Sequence, residues 1–284
     1  MENNSYDILI ATANKLTKNY FRKFLYTLLI PIDYTRTKEI PAILDMSGVL
    51  KRRNERLRIL DIGSPQLLSL SLGGYSDLWD VTYLNSYEPE LEDFRQKSSV
   101  LGLNRLHTIN ADITCLDAVY RLGTFDYIFS CSVFEHIHPE NGGDILASRV
   151  VPCLLNPSGV FAFSVPYFKT RFNEYLEGDV YAVKGTPQIK TFFQRFYDEE
   201  SLYNQIIMPT GLNIAKKTYI GERFYSAHNI KKRMAFLIGA GKRSFFMGRF
   251  FNKLSDAFME ESHDYKKLRK PYLAIYALTK DSNI

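Results

Sequence analysis

From Leu57 to Val165, short apolar runs alternate with stretches of helical spacing, and this alternation restricts the possible folds more than any other feature of the chain. The runs are Leu57 to Ile62 (LRILDI), Val81 to Leu84, Leu106 to Ile109, Phe125 to Ser130 and Val160 to Val165. Each is short and bounded by polar or turn residues, as Gly63-Ser64-Pro65 bounds the first, so each reads as a buried strand. Between them, Pro89 to Leu101, Thr114 to Leu122 and Gly143 to Leu155 carry helical patterns. Strands apolar on both faces belong to a parallel sheet with helices on each side, so the expected class is α/β, doubly wound. Ligands of such sheets bind beyond the carboxyl ends of the strands.

After Pro166 the alternation loosens through FKTRFNEYLEGDVYAVKGTPQIK, a polar and aromatic stretch placed to cover the strand ends as a lid. A helix is predicted from Asp198 to about Met208, then strands at Leu212 to Tyr219 and Tyr272 to Thr279. The 284 residues suffice for a full core, and neither a repeat nor a domain linker interrupts them. We therefore expect one domain: an N-terminal helical extension (1–55), the α/β core (56–222), a basic helical insertion (223–270), and a last strand with its tail (271–284).

With 45% hydrophobic and 24% charged residues, disordered and fibrous classes are excluded. Cys115, Cys131 and Cys153 stand singly, which excludes a disulfide framework or a Cys-rich zinc site and suits a reducing cytoplasm. The start, with Glu2 and Asp7, lacks the basic and apolar regions of a signal peptide. The longest uncharged run, Val150 to Phe168, contains Pro152, Pro157 and Pro166 and is not read as a membrane span. A soluble or membrane-peripheral protein is expected.

The net charge of +5 is concentrated: Arg223 to Ser255 holds eight Lys or Arg and no acid, leaving the rest of the chain slightly acidic. Those cations are interleaved with Met234, Phe236, Leu237, Phe245, Phe246, Phe250 and Phe251, which suits an anionic membrane surface or a phosphate-bearing ligand. Near the N-terminus Leu16, Tyr20, Phe21, Phe24, Leu25 and Leu28 share one helical face, opposite Lys15, Lys18, Arg22 and Lys23. The alternative for both segments is an amphipathic helix packed on the core with solvated cations outside. Nucleic acid is not expected as a partner, since no zinc-finger, KH or RRM signature is present.

Six pieces in order, LRILDIGS, VTYLNSYEPEL, NADI, FDYIFSCSVFEHI, LLNPSGVFAFSVPY and RFYDEESLYNQIIMPTGLNIAKKTYIGE, resemble the class I S-adenosylmethionine-dependent methyltransferases, a Rossmann-like superfamily. The resemblance covers about residues 57 to 220, with Tyr272 to Lys280 as the final strand. It implies a seven-stranded sheet whose last strand is antiparallel, with S-adenosylmethionine lying across the carboxyl ends of the first strands. It implies further that Asp61, Gly63 and Ser64 border the aminocarboxylate, that Asn85 faces the ribose hydroxyls, and that Asp112 holds the adenine amino group with Ile113 against the ring. Ser130 and the residues after it would lie where cofactor and acceptor meet.

Two departures stand out. Gly63-Ser64-Pro65-Gln66-Leu67 replaces the family's G-x-G-x-G, and Asn85 replaces an acid, an amide being a weaker acceptor than a carboxylate. Glu88, three residues on, offers a second acceptor. Asp112 also reads as the N-cap of the next helix. For transfer to a hydroxyl the protein must align the acceptor and remove a proton, and His136 has a suitable intrinsic pKa for that base. Its alternative is a packed imidazole bonded to a carbonyl. Related sequences with E-x-x-E-H at this point place a metal there. Here Ser132 stands for the first acid, leaving Glu135 and His136, too few ligands, and no metal is expected.

Asn141-Gly142-Gly143-Asp144 reads as a turn with an N-cap, and Pro166-Tyr167-Phe168 as either acceptor pocket or packing. The expected function is methyl transfer from S-adenosylmethionine to a small-molecule or glycan- or lipid-linked acceptor, at oxygen. The alternative is a catalytically inactive methyltransferase-like binding or scaffold protein. A nicotinamide oxidoreductase would need G-x-G-x-x-G and an acid after the second strand, and GSPQLL and Asn85 supply neither.

Overall fold

The five apolar runs of residues 57 to 165 form five adjacent strands in the computed structural model, which describes residues 5–20, 36–178, 190–223 and 257–280. Helices α1 (Ser5–Tyr20) and α2 (Arg36–Ser47) precede them. Next in the chain are β1 (Leu57–Ile62), α3 (Leu67–Tyr75), β2 (Trp79–Asn85), α4 (Glu88–Leu101), β3 (Leu106–Asn110), α5 (Leu116–Val119), β4 (Phe125–Cys131), α6 (Gly143–Leu154) and β5 (Leu155–Pro166). A hairpin of β6 (Phe172–Glu177) and β7 (Lys190–Phe196) comes after them, then β8 (Asn213–Glu222), β9 (Met259–Ser262) and β10 (Pro271–Thr279). The main sheet has the order β3-β2-β1-β4-β5-β10-β8-β9. Strands β1 to β5 are parallel, and β10 enters antiparallel between β5 and β8.

The sheet is doubly wound because its strands alternate apolar side chains to two layers. Leu57 and Ile59 of β1 join Leu9, Ile40, Ile43 and Phe94 under α1, α2, α3 and α4; Leu60 and Ile62 join Ile128, Ala147, Val151 and Phe161 under α6. Polar exceptions to this pattern, above all Asp61, Glu39, Glu135 and Arg195, are buried at or near the carboxyl ends of the strands.

Four expectations need correction. The sheet has eight strands, not seven, because β8 extends to Glu222 and leaves an edge on which β9 pairs antiparallel, Tyr219 opposite Ser262. Segment 223–270 is accordingly not all helical. Of its basic part, Arg223 to Ser255, only Arg223 lies among the described residues. The helix expected at Thr114 to Leu122 shrinks to α5 and a 3-10 turn, since the Asp112 carboxylate takes the N–H and hydroxyl of Thr114 (2.8 Å each) and Gly123 turns left-handed. The stretch expected as a lid is hairpin β6–β7, with residues 179–189 outside the described set. Among the described residues, no helix is long and apolar enough to cross a membrane.

Candidate functional site

The carboxyl ends of β1 to β4 open onto a cavity of about 780 Å³, within the range of small-molecule sites, roughly 300–1,000 Å³. Its first wall is the turn after β1. Gly63 has φ +62°, and its N–H donates to the Leu84 carbonyl (2.8 Å), which presses bare backbone against the cavity. A Cβ there would stand 3.4 Å from Val133 Cγ1, on the opposite side of the turn.

Asp61 and Ser64 lie behind this wall and not in it. Asp61 is fully buried and accepts from Ser64 N–H (3.2 Å) and Ser69 Oγ (2.5 Å); burial pushes its carboxyl up to about 6. Ser64 Oγ accepts from the Cys131 N–H (2.8 Å). Both side chains are engaged in shaping the turn that presents Gly63 to the cavity. Ser130 is likewise absent from the wall: it is fully buried within β4, and its Oγ has no hydrogen-bond partner among the described residues. The serine that reaches the cavity is Ser132, one step past the strand, where the chain turns at φ 52°.

The second wall lies beyond β2. Asn85 Oδ1 accepts from the Tyr87 N–H (2.9 Å), leaving one lone pair, and its amide nitrogen lies 3.4 Å from the Tyr83 hydroxyl. Glu88 faces away, bound to Arg95 (2.7 Å) and Asn110 (2.7 Å), which hold its carboxyl below the usual range. The acid that does line the cavity is Glu90, held by the Tyr83 hydroxyl (2.9 Å). Its place in the first turn of α4, just past β2, was the available signal. After β3, Asp112 and buried Ile113 complete this side. Asp112 Oδ1 serves Thr114, and Oδ2 carries no hydrogen bond among the described residues. The N-cap position of α5 is Cys115, without a side-chain cap, so Asp112 closes a turn ahead of the helix through Oδ1 and does not cap it.

The third wall is the turn after β4, with Ser132, Val133, His136, Ile137 and His138, faced by Phe193 of β7. His136 Nδ1 lies 2.7 Å from the Phe193 carbonyl, and its Nε2 lies 3.8 Å from Glu135 Oε1. A carbonyl only accepts, so Nδ1 carries the proton and Nε2 is the basic nitrogen. Burial lowers the imidazole pKa and pushes the Glu135 carboxyl up to about 8, so both favour their neutral forms. His138, against Phe192, was not singled out in the sequence.

This turn is clamped from the hairpin by Arg195, which is fully buried. Its guanidinium donates to the carbonyls of Glu135 (3.1 Å), Pro139 (2.8 Å) and Glu140 (2.6 Å), and its Nε lies 3.6 Å from Asp144. Asp144 is therefore not a side-chain cap of α6; it accepts from Tyr197 (2.9 Å) and balances Arg195. Tyr167 and Phe168 do not line the cavity: Tyr167 packs against Tyr219 and Tyr265. Among the described residues, no three His, Cys, Asp or Glu side chains come together as a metal-binding group.

No family model matches the chain, and no curated protein matches it in sequence. Solved structures do match in fold. A putative sarcosine dimethylglycine methyltransferase from Galdieria sulphuraria is 11% identical, with a TM-score of 0.54 and 88% of each chain covered. Coclaurine N-methyltransferase, bound to N-methylheliamine and SAH, is 15% identical with a TM-score of 0.52, covering 86% of this chain and 72% of its own. A cyclase, SpnF, is 13% identical with a TM-score of 0.53, covering 87% and 81%. The chain has the fold of the class I S-adenosylmethionine-dependent methyltransferases. A cyclase on the same fold means that the reaction has to be argued from the site.

Proposed function

We propose that this chain is an S-adenosylmethionine-dependent methyltransferase acting on a small-molecule acceptor, with oxygen as the methylated atom. The observation that carries the reading is one cavity across four strand ends, lined by Gly63, Asn85, Asp112, Ile113 and His136. The residues fit the cofactor. Bare backbone at Gly63 suits the aminocarboxylate, the remaining lone pair of Asn85 and the carboxylate of Glu90 suit the ribose hydroxyls, and Asp112 Oδ2 with Ile113 suits the adenine edge and face. Bound there, S-adenosylmethionine supplies a methyl group on a sulfonium, ready for in-line displacement.

The protein's own part is alignment and proton removal. His136, held by the Phe193 carbonyl, presents Nε2 as base, and its lowered pKa keeps it neutral near pH 7. A base on the acceptor side is what a hydroxyl acceptor requires, which supports oxygen. Acceptors joined to a glycan or lipid belong to the same proposal, the basic aromatic segment 223–255 being suited to an anionic surface.

Calorimetric titration with S-adenosylmethionine and S-adenosylhomocysteine tests the reading. Micromolar binding is expected, abolished by Gly63→Val, which puts a branched side chain at a positive φ facing Val133. A folded wild-type protein that binds neither compound at millimolar concentration would overturn it in favour of a scaffold.

A further inference from the structure

The N-terminal extension reaches the functional site through one side chain. Glu39, on α2, is fully buried, forms an ion pair with Arg36 one turn before it, and accepts from Ser132 Oγ (2.5 Å) and Ser164 Oγ (2.6 Å). Those serines stand at the carboxyl ends of β4 and β5, 93 and 125 residues away in the chain. Glu39 itself does not line the cavity, but Ser132 does.

Ser132 is the one non-glycine with a positive φ among the described residues, at 52°. Three bonds hold it: its N–H to the Ser164 carbonyl (3.0 Å) and Ser164 Oγ (3.1 Å), and its hydroxyl to Glu39. The left-handed region disfavours a serine by roughly five- to thirty-fold, so the conformation persists because its surroundings impose it. Residues 133 to 136 take their places from that turn. Val133 is the side chain facing Gly63, and the Val133 carbonyl receives the His136 N–H (2.8 Å).

Anchoring α2 does not account for the buried carboxylate. Ile40, Ile43 and Leu44 of the same helix are fully buried and attach it to the sheet, and a buried ion pair adds little to stability over an apolar replacement.

We propose that Glu39 is a positioning residue: it holds Ser132 in its left-handed conformation and so fixes the wall that places Val133 against Gly63 and His136 at the acceptor end. Its effect on nucleoside binding rests on the function proposed above; its effect on the turn does not.

The test uses the full chain, with amide hydrogen exchange of the ligand-free protein and calorimetry with S-adenosylhomocysteine. In the wild type both hydroxyls share Glu39 Oε1 while Arg36 holds Oε2; Glu39→Gln keeps the volume but leaves one acceptor oxygen to serve either Arg36 or the two hydroxyls. It is expected to speed exchange at the Ser132 and His136 amides about ten-fold and to weaken binding about ten-fold. Adding Ser132→Gly, for which a positive φ is unstrained, is expected to restore both to within roughly three-fold of wild type. Should Glu39→Gln fail to fold, Ser132→Ala, which removes only the hydroxyl, is expected to loosen the same amides. Unchanged exchange in the folded variants, or loss of structure that Ser132→Gly does not repair, would overturn the proposal. If the wild type binds no S-adenosylhomocysteine the proposed function falls, while the exchange data still decide whether Glu39 holds the turn.

Discussion

Glu135 and His136 are neighbours in the chain, and the same burial drives both toward their neutral forms, with opposite consequences for stability. The Glu135 carboxyl titrates near 4.5 when unfolded and about 8 when folded, so between these values the folded protein holds the extra proton. Stability from this group is complete below about pH 4.5 and is lost as pH rises through about 8, with a slope of up to about 1.4 kcal/mol per pH unit. His136, its folded pKa lowered below 6.5, works the other way: stability rises with pH across the window up to 6.5. Urea unfolding from pH 5 to 8 is expected to show a decline that Glu135→Gln flattens. NMR titration is expected to place the His136 imidazole below 6.5. With an acceptor in hand, His136→Ala is expected to cut turnover by about 10²–10⁴ while leaving S-adenosylhomocysteine affinity unchanged. Full activity would remove it as the base.

Between elements, the decisive contact is that of hairpin β6–β7 with the turn after β4. Arg195 replaces water for three well-placed carbonyls and offsets the buried charge of Asp144, a geometry that a planar guanidinium fits and an ammonium does not. Arg195→Met is expected to cost about 3–5 kcal/mol in urea unfolding, because the buried Asp144 charge loses its cation and the Glu135 and Glu140 carbonyls lose the guanidinium donors. Arg195→Lys is expected to recover only part of that. Destabilisation under about 1 kcal/mol by either variant would mean that the hairpin is held by its aromatic contacts instead. The strand KTFFQRF shows an arginine among apolar residues, but nothing in its spacing says that the arginine points inward toward carbonyls 55 to 61 residues away.

For the whole molecule, β10 joins β5 to β8, so the most deeply paired strands lie at the centre of the eight-stranded sheet. Hydrogen exchange is expected to be slowest in β1, β4, β5 and β10, and faster in hairpin β6–β7, a separate two-stranded sheet. Surface association belongs to this scale too. Sedimentation with phosphatidylserine-containing vesicles is expected to fall when the eight Lys and Arg of Arg223 to Ser255 are replaced by Gln, and to weaken with salt. Equal sedimentation of both proteins would favour solvated cations on an ordinary helix.

The strand and helix alternation was legible from Leu57 to Val165 because burial on two faces imposes a local, periodic pattern on each element, and Gly63 and His136 were legible because each comes after an apolar run. Ser64, Asp61 and Ser130 show where that reading stops: adjacency to a strand end says that a residue is near the site, not whether its side chain faces the ligand or the wall behind it. Glu39, Glu90 and Arg195 acquire their roles from partners on other elements, and β9 pairs across a long insertion. Strand order, the edge that β8 leaves open, and the convergence of a residue of the N-terminal extension with two distant serines are set by long-range packing and hydrogen bonding, which the tertiary structure alone decides.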